Sequence, residues 1–371
     1  MLATSTGCVP LRRAVAQQRK NLQRAYHDLV NLPKKGPVVS YGPPGRSATT
    51  GHVATVFGST GFLGRYTVAK LAKAGTQVVI PYREEDEKRH LKPMGDLGQI
   101  VMMEWDLRNE DQIEECLRHS DIVYNLVGRE YPTKNFSYDA VHVQGAERIA
   151  KIAAKVGVPR LVHVSHLNAS HDSPSEFYKS KARGDDLAPE QHGSLADLVE
   201  AQRYGDEDPP RACEPRPASK QSIVYSLTAP SSFSSSQVFD VAQALAKLIS
   251  VPSLPGVLNL PGPSQLTYEY LLALVSSVTY NPPSRAPMVP KAAALALAKV
   301  AQAVWWPALS PDEVVRRYID DVDVPGDWDK VGVVPDEVEQ HAISYLRRYR
   351  SAENFTRPVV FPSSRDAEYG Y

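Results

Sequence analysis

His52–Gly64, HVATVFGSTGFLG, is the stretch that decides the fold. HVATVF is a short apolar run suited to a strand buried on both faces of a parallel sheet. RYTVAKLAKAG follows, with helical spacing and a terminal glycine. Between them Gly58, Gly61 and Gly64 form G-x-x-G-x-x-G. Gly58 permits a tight turn, Gly61 lets the backbone approach a diphosphate, and Gly64 lets the helix pack close to the sheet. The helix start then offers amide N–H groups to negative charge. A glycine-rich turn without a ligand is the competing reading. The flanking strand and helix favour a nucleotide loop made of Gly58, Ser59, Thr60, Gly61, Phe62, Leu63 and Gly64.

The same alternation continues outward. TQVVIPYR (Thr76–Arg83), QIVMMEWDL (Gln99–Leu107), DIVYNLVG (Asp121–Gly128) and PRLVHVS (Pro159–Ser165) read as strands. NEDQIEECLRH and YDAVHVQGAERIAKIAAKVG between them read as helices. This order predicts an α/β fold: a Rossmann-like, doubly wound parallel sheet, followed by a smaller C-terminal α/β subdomain. The second strand ends in PYR, where an acidic residue would bind the adenine ribose of NAD(H). Arg83 stands there instead and suits a 2′-phosphate, which favours NADP(H), although Glu84 and Glu85 follow directly. Asp106 is placed either to meet the adenine amine or to cap the next helix, a role that suits Asn109 better.

Outside this region the composition divides the chain. The 371 residues carry 42 basic and 42 acidic side chains, so net charge gives no argument for nucleic-acid binding. Cys8, Cys116 and Cys213 lie far apart and suggest neither a disulfide framework nor a zinc site. Residues 1–30 hold Arg12, Arg13, Arg19, Lys20 and Arg24 with no acid before Asp28, the composition of a mitochondrial presequence. A disordered basic arm is the plainer alternative. Residues 31–50 are rich in Pro, Gly and Ser and read as an extended arm. The nucleotide-binding domain is drawn over 51–250, the C-terminal subdomain over 251–350 and an aperiodic tail over 351–371. KAAALALAKVAQAVWWPAL, from Lys291, is interrupted by Lys299 and Gln302 and is too weakly apolar to span a membrane. It reads as a helix packed on protein, near a membrane surface through Trp305 and Trp306.

SEFYKSKARG, Ser175–Gly184, raises the question of catalysis. Carbonyl reductases of this fold need a tyrosine four residues before a lysine, so that the two share one helix face. Counting back from Lys181 gives Phe177, and Tyr178 is rotated from it by about 100°. An irregular helix start at Ser173-Pro174-Ser175 would shift that register. Ser165 could still bond a carbonyl oxygen, so Ser165 and Tyr178 are the residual catalytic candidates. No cysteine or carboxylate completes a ligand set with His163, His166 and His171, which read as ordinary hydrogen-bonded histidines rather than metal ligands. PDEVVRRYIDD reads as a helix with a capping box of Ser310 and Glu313. Trp305, Trp306 and Tyr318 around it are candidate anchors on a partner.

Six segments resemble a known family: ATVFGSTGFLGRY, VYNLVGREY, VHVSHLNA, VFDVAQALAKL, NLPGPSQLTYEYLL and WWPALSPDEV. They are similar to the atypical extended short-chain dehydrogenases/reductases. Within that group they resemble the NAD(P)-binding accessory subunits of mitochondrial respiratory complex I. The resemblance implies a tightly held NADPH and a role in assembly and stability without turnover. It also implies a place on the matrix side of the inner membrane, beside other complex I subunits where the matrix and membrane arms join. Carried over residue by residue, it implies cofactor contacts at Gly58, Gly61, Gly64, Arg83, Leu126, Val127, Gly128, Ser165 and Lys181. An active NADPH-dependent reductase or epimerase, and a nucleotide-sensing regulator, are the alternatives. The chain departs from the family over 185–236, where the composition predicts poor packing and reads as an insertion or a gene-model error. Ala196–Val199 is the candidate sixth strand, with Glu200-Ala201 where the family has Arg-Pro.

Overall fold

The computed structural model describes residues 27–32, 36–41, 48–192, 195–201, 232–234, 236–251, 256–280, 291–304 and 310–362. Residues 1–26, most of the stretch read as a presequence, lie outside them. The extended arm folds back on itself: β1 (His27–Leu32) and β2 (Gly36–Tyr41) pair antiparallel. β1 also starts before the boundary drawn at 30.

The main sheet begins with β3 (Val53–Phe57), β4 (Gln77–Tyr82), β5 (Ile100–Glu104), β6 (Ile122–Asn125), β7 (Arg160–Ser165) and β8 (Leu195–Ala201). β9 (Ser232–Ser234) lies outside the sheet, β10 (Val257–Leu260) returns to it, and β11 (Gln265–Thr267) pairs with β9. Spatial order in the seven-stranded sheet is β10-β8-β7-β6-β3-β4-β5, every pair parallel. The chain therefore starts in the middle, builds β4 and β5 to one side, and crosses back to β6 on the other. The resulting switch point lies between β3 and β6, where such sheets bind ligands at their carboxyl ends.

Alternation along the strands makes two cores. One face joins Val56, Ile80, Tyr124 and Val162 to Leu71 of α1 (Phe62–Ala74). The opposite face joins Phe57, Val123 and Leu161 to Ile113 of α2 (Glu110–Leu117). Tyr138–His142 forms a short α3, and α4 (Gln144–Val156) adds Ile149 and Ala153 to the second core. Each fully buried aliphatic side chain of this kind stabilises the fold by about 1.5–3 kcal/mol. Asn109, rather than Asp106, caps α2, accepting from the Asp111 and Gln112 amides.

The irregularity expected over 185–236 begins later than 185. α5 (Glu176–His192) continues through Asp185, and β8 covers the candidate strand Ala196–Val199 between β7 and β10. Residues 202–231 lie outside the described residues. α6 (Val238–Lys247) places Val241 and Leu245 in the first core. The remaining helices are α7 (Tyr268–Thr279), α8 (Lys291–Val304), α9 (Pro311–Arg316), α10 (Trp328–Val331) and α11 (Val338–Leu346). Leu258, Leu260, Trp328 and Val331 join the first core, so a boundary at 250 cuts through packed structure. Two small clusters are separate: Ala294, Ala298 and Val314 between α8 and α9, and Leu274, Val278 and Ala342 between α7 and α11. Among the described residues no helix is long and apolar enough to cross a membrane.

Candidate functional site

The glycine loop sits at the switch point, and two of its three glycines have no room for a side chain. Gly58 has φ +79°, and a Cβ there would lie 2.7 Å from the Leu126 carbonyl oxygen. A Cβ on Gly64 would lie 2.2 Å from the Gly58 carbonyl oxygen, so α1 approaches the turn closely. Gly61 is exposed, its N–H donates to the Gly58 carbonyl at 3.1 Å, and it stands at the N-cap of α1. No side chain caps α1, and its first turn holds no acid. Such a helix start favours an anion through its amides and its dipole. Ser59 is fully buried and donates to the Pro81 carbonyl (3.4 Å), tying the loop to the end of β4. Leu63 is buried, while Thr60 and Phe62 are half-buried.

The facing edge is Leu126–Gly128. The Leu126 N–H donates to the Phe57 carbonyl (3.0 Å), and Gly128 is exposed. Asn125, just before this edge, fixes a buried relay. Its Oδ1 accepts from the Val127 N–H (3.2 Å), so its amide nitrogen faces His163 Nδ1 at 2.9 Å as donor. The His163 proton therefore sits on Nε2, which faces Asp185 Oδ1 at 3.4 Å. The other Asp185 oxygen accepts from Ser165 Oγ. Ser165 is thus held by a carboxylate. The sequence reading did not include Asn125 or Asp185, although Asp185 lies four residues after Lys181 on the same helix face.

Lys181 is buried beneath this edge. Its Nζ donates to the Val164 carbonyl (3.2 Å) and lies 3.5 Å from where a Cβ on Gly128 would be. Burial pulls its pKa down, and the Asp185 carboxylate one turn away pushes it up. His142, also missed, joins the loop to α5. Its Nε2 accepts from the Arg129 N–H (3.1 Å), so Nδ1 carries the proton and donates to Ser180 Oγ (2.8 Å). Ser180 in turn donates to the Phe177 carbonyl at 2.8 Å. Burial, reinforced by the nearby Lys181 charge, holds the His142 pKa well below the usual imidazole range.

Phe177 does occupy the face of α5 shared with Lys181. Its ring is 5.2 Å from the His142 ring, edge to face, and the Arg316 guanidinium lies over it at 4.5 Å. Tyr178 is 1% exposed and packs on the His166 ring at 4.8 Å. His171 is exposed and pairs with Asp186 at 3.0 Å. Among the described residues no group of three His, Cys, Asp or Glu could hold a metal ion.

The other candidates lie apart from this cluster. Arg83 is exposed one residue beyond β4. Asp106 is exposed after β5, and its carboxylate accepts from the Arg108 N–H at 2.7 Å. The capping box of α9 forms by half. Ser310 Oγ accepts from the Glu313 N–H (3.1 Å), but the Glu313 carboxylate pairs with Arg317 instead. Tyr318 packs against the α8–α9 cluster under the Lys291 ammonium. Trp305 and Trp306 lie outside the described residues.

The residues present fit a dinucleotide. Gly58 and Gly64 have backbone where a Cβ would stand, which lets the turn and α1 close tightly and leaves the start of α1 uncapped, and Gly128 lies beside Lys181. Comparison with known proteins places the chain among nucleotide-binding folds. The model of the NAD dependent epimerase/dehydratase family matches residues 54–184. A solved structure with this fold is an Escherichia coli NADPH-dependent quinone oxidoreductase complexed with NADPH (TM-score 0.59, 19% identity, 79% of this chain and 99% of that one). Among curated relatives, the mitochondrial NADH-ubiquinone oxidoreductase 40 kDa subunit of Neurospora crassa is 39% identical over 96% of both chains. The rat mitochondrial NADH dehydrogenase (ubiquinone) 1 alpha subcomplex subunit 9 is 34% identical over 85% of both. The chain therefore belongs to the family of these mitochondrial NADH-ubiquinone oxidoreductase 40 kDa and alpha subcomplex subunit 9 proteins, built on an epimerase/dehydratase-type nucleotide-binding fold.

Proposed function

We propose that this protein is a non-catalytic accessory subunit of mitochondrial NADH:ubiquinone oxidoreductase that holds NADPH as a structural cofactor. The observation that carries the reading is a close glycine turn with an uncapped helix start, together with Phe177, under the Arg316 guanidinium, at the position that needs a hydroxyl. Bound NADPH supplies a diphosphate and ribose hydroxyls to hold, and a nicotinamide able to give up hydride. The amides at the start of α1 would receive the diphosphate. Lys181, with one of its three donors on Val164, has others suited to ribose hydroxyls. Arg83, with no acid at the strand end itself, favours the 2′-phosphate of NADPH over NADH. Leu126–Gly128 would border the nicotinamide side.

Turnover needs an acid at the carbonyl oxygen. Phe177 has no hydroxyl, Tyr178 is turned into the packing around His166, and Ser165 is engaged with Asp185. What remains is affinity, and a ligand bound only to the folded state stabilises it by about 4 kcal/mol at a thousand times its Kd. Family membership supports a place among the other subunits of mitochondrial complex I, and we set the chain at the junction of the two arms, on the matrix side of the inner membrane.

The test is to purify the protein, denature it and identify the nucleotide released. Stoichiometric NADPH is the expected result. A chain that carries none and shows no affinity for it overturns the reading. Co-migration with complex I on a native gel tests the assembly, and a protein found only as free monomer counts against it.

A further inference from the structure

Helix α9 and the residues after it belong to the C-terminal part, yet they reach the loop after β6 and the start of α5. Asp312 caps α5 from outside that helix, accepting from Ser175 Oγ (2.9 Å) and the Glu176 N–H (2.8 Å). Arg316, 5% exposed at its side chain, holds three things at once. Its Nε lies 3.5 Å from the Asp312 carboxylate, its Nη2 donates to the Glu130 carbonyl at 2.9 Å, and its plane covers Phe177. Farther along, Asn168 donates to Asp321 (2.7 Å) and accepts from the Val322 N–H (3.0 Å), which seats the same segment over the loop after β7.

Glu130 and Phe177 stand on different elements. Glu130 follows Gly128 by two residues on the loop after β6, and Phe177 precedes Lys181 by one turn on α5. Each is close in sequence to a residue at the proposed nucleotide site, Glu130 to Gly128 and Phe177 to Lys181. The buried Arg316 guanidinium therefore ties both segments to α9, in addition to the His142 and Tyr138 contacts that join the loop to α5 directly. A buried cation of this kind tolerates little displacement, because leaving its partners exposes it to an uncompensated desolvation cost. We infer that Arg316 is a positioning residue for the bound nucleotide, and that nucleotide occupancy and the seating of residues 310–322 are linked. The inference rests on the nucleotide reading above. Linkage is reciprocal: whatever the seated segment adds to nucleotide affinity, the nucleotide adds to the seating.

The experiment measures amide hydrogen exchange over 310–322 in the full chain, with and without saturating NADPH, alongside NADPH affinity by its fluorescence. Nucleotide is expected to slow exchange in 312–317 by about tenfold, and Arg316→Gln to weaken NADPH binding by about tenfold. In that variant, exchange within β3–β6 of the nucleotide-free chain stays as in wild type, which separates positioning from general loss of stability. The wild-type exchange measurement needs no variant, so a misfolded Arg316→Gln does not remove the test. NADPH that binds without altering exchange over 310–322 overturns the linkage and leaves the nucleotide reading standing. Absence of any binding to wild type overturns both.

Discussion

Gly64→Ala tests the glycine turn most directly. The residue is helical, so alanine in open space would gain about 1 kcal/mol from backbone entropy alone. Here the added Cβ would lie 2.2, 2.6 and 2.8 Å from the Gly58 oxygen and the Ser59 Cα and carbonyl carbon. All three are backbone atoms, so no rotamer change relieves them. Ordinary contact starts near 3.4 Å, and α1 must therefore move off the turn by about 1.2 Å. Overpacking of this kind costs about 1–3 kcal/mol, enough to reverse the helix gain and leave a net loss of up to about 2 kcal/mol. At about 2–4 °C per kcal/mol for a large domain, the Tm falls by up to about 4–8 °C. The larger effect is on the ligand, because the displaced amides no longer converge on the diphosphate. Thermal unfolding and quantification of nucleotide released on denaturation read the two effects separately. Gly256→Ala, with nothing within 4 Å of its Cβ position, serves as the control. A Gly64→Ala protein with wild-type Tm and a full complement of nucleotide would refute the argument.

His142 gives a pH prediction. Its folded pKa is depressed, so its contribution is complete above the unfolded value near 6.5 and is lost as pH falls from there through the folded pKa, at up to about 1.4 kcal/mol per pH unit. Urea unfolding between pH 7 and 5 should show a shallower slope in His142→Gln than in wild type; equal slopes would remove His142 from the account. Asn168→Ala deletes one bond to the Asp321 carboxylate and one from the Val322 amide. A loss of about 2–3 kcal/mol is expected, with faster proteolysis confined to the segment around 310–322, and uniform cleavage would contradict the proposed seating. Tyr178→Phe should leave NADPH oxidation with carbonyl substrates at the wild-type level, which is the buffer rate. A measurable wild-type turnover abolished by that substitution would restore the catalytic reading.

The sheet and its loop were legible because their signals are local. HVATVF, the glycine spacing and the helix after it each act within one turn of chain, and β3, the turn and α1 lie where they were expected. Lys181 and Phe177 were legible for the same reason, since a count of four fixes a helix face. The rest depends on partners brought together from far apart. Nothing near Arg316 in sequence names Glu130 or Phe177, and nothing near His142 names Arg129 and Ser180. The stretch after Lys181 misled for a different reason. Its charges and Pro suggested loose structure, but Asp185 is anchored by Ser165 and α5 continues through it. A polar residue in a buried network looks, in sequence, like a solvated one.

The position of β10 has a consequence for how the molecule is made. β8 pairs with β7 on one side and waits for β10 on the other. Until residues 257–260 arrive, the backbone N–H and C=O groups along one side of β8 form an open edge, the template on which chains associate wrongly. Parallel pairing across a long intervening segment closes slowly, because the loop entropy is met before the contact forms. A chain halted or cut near 250 would hold a complete glycine loop and still expose that edge. Once in place, the four-residue β10 leaves the sheet with a shorter edge strand than the seven-residue β8, and short edges are the safer ones.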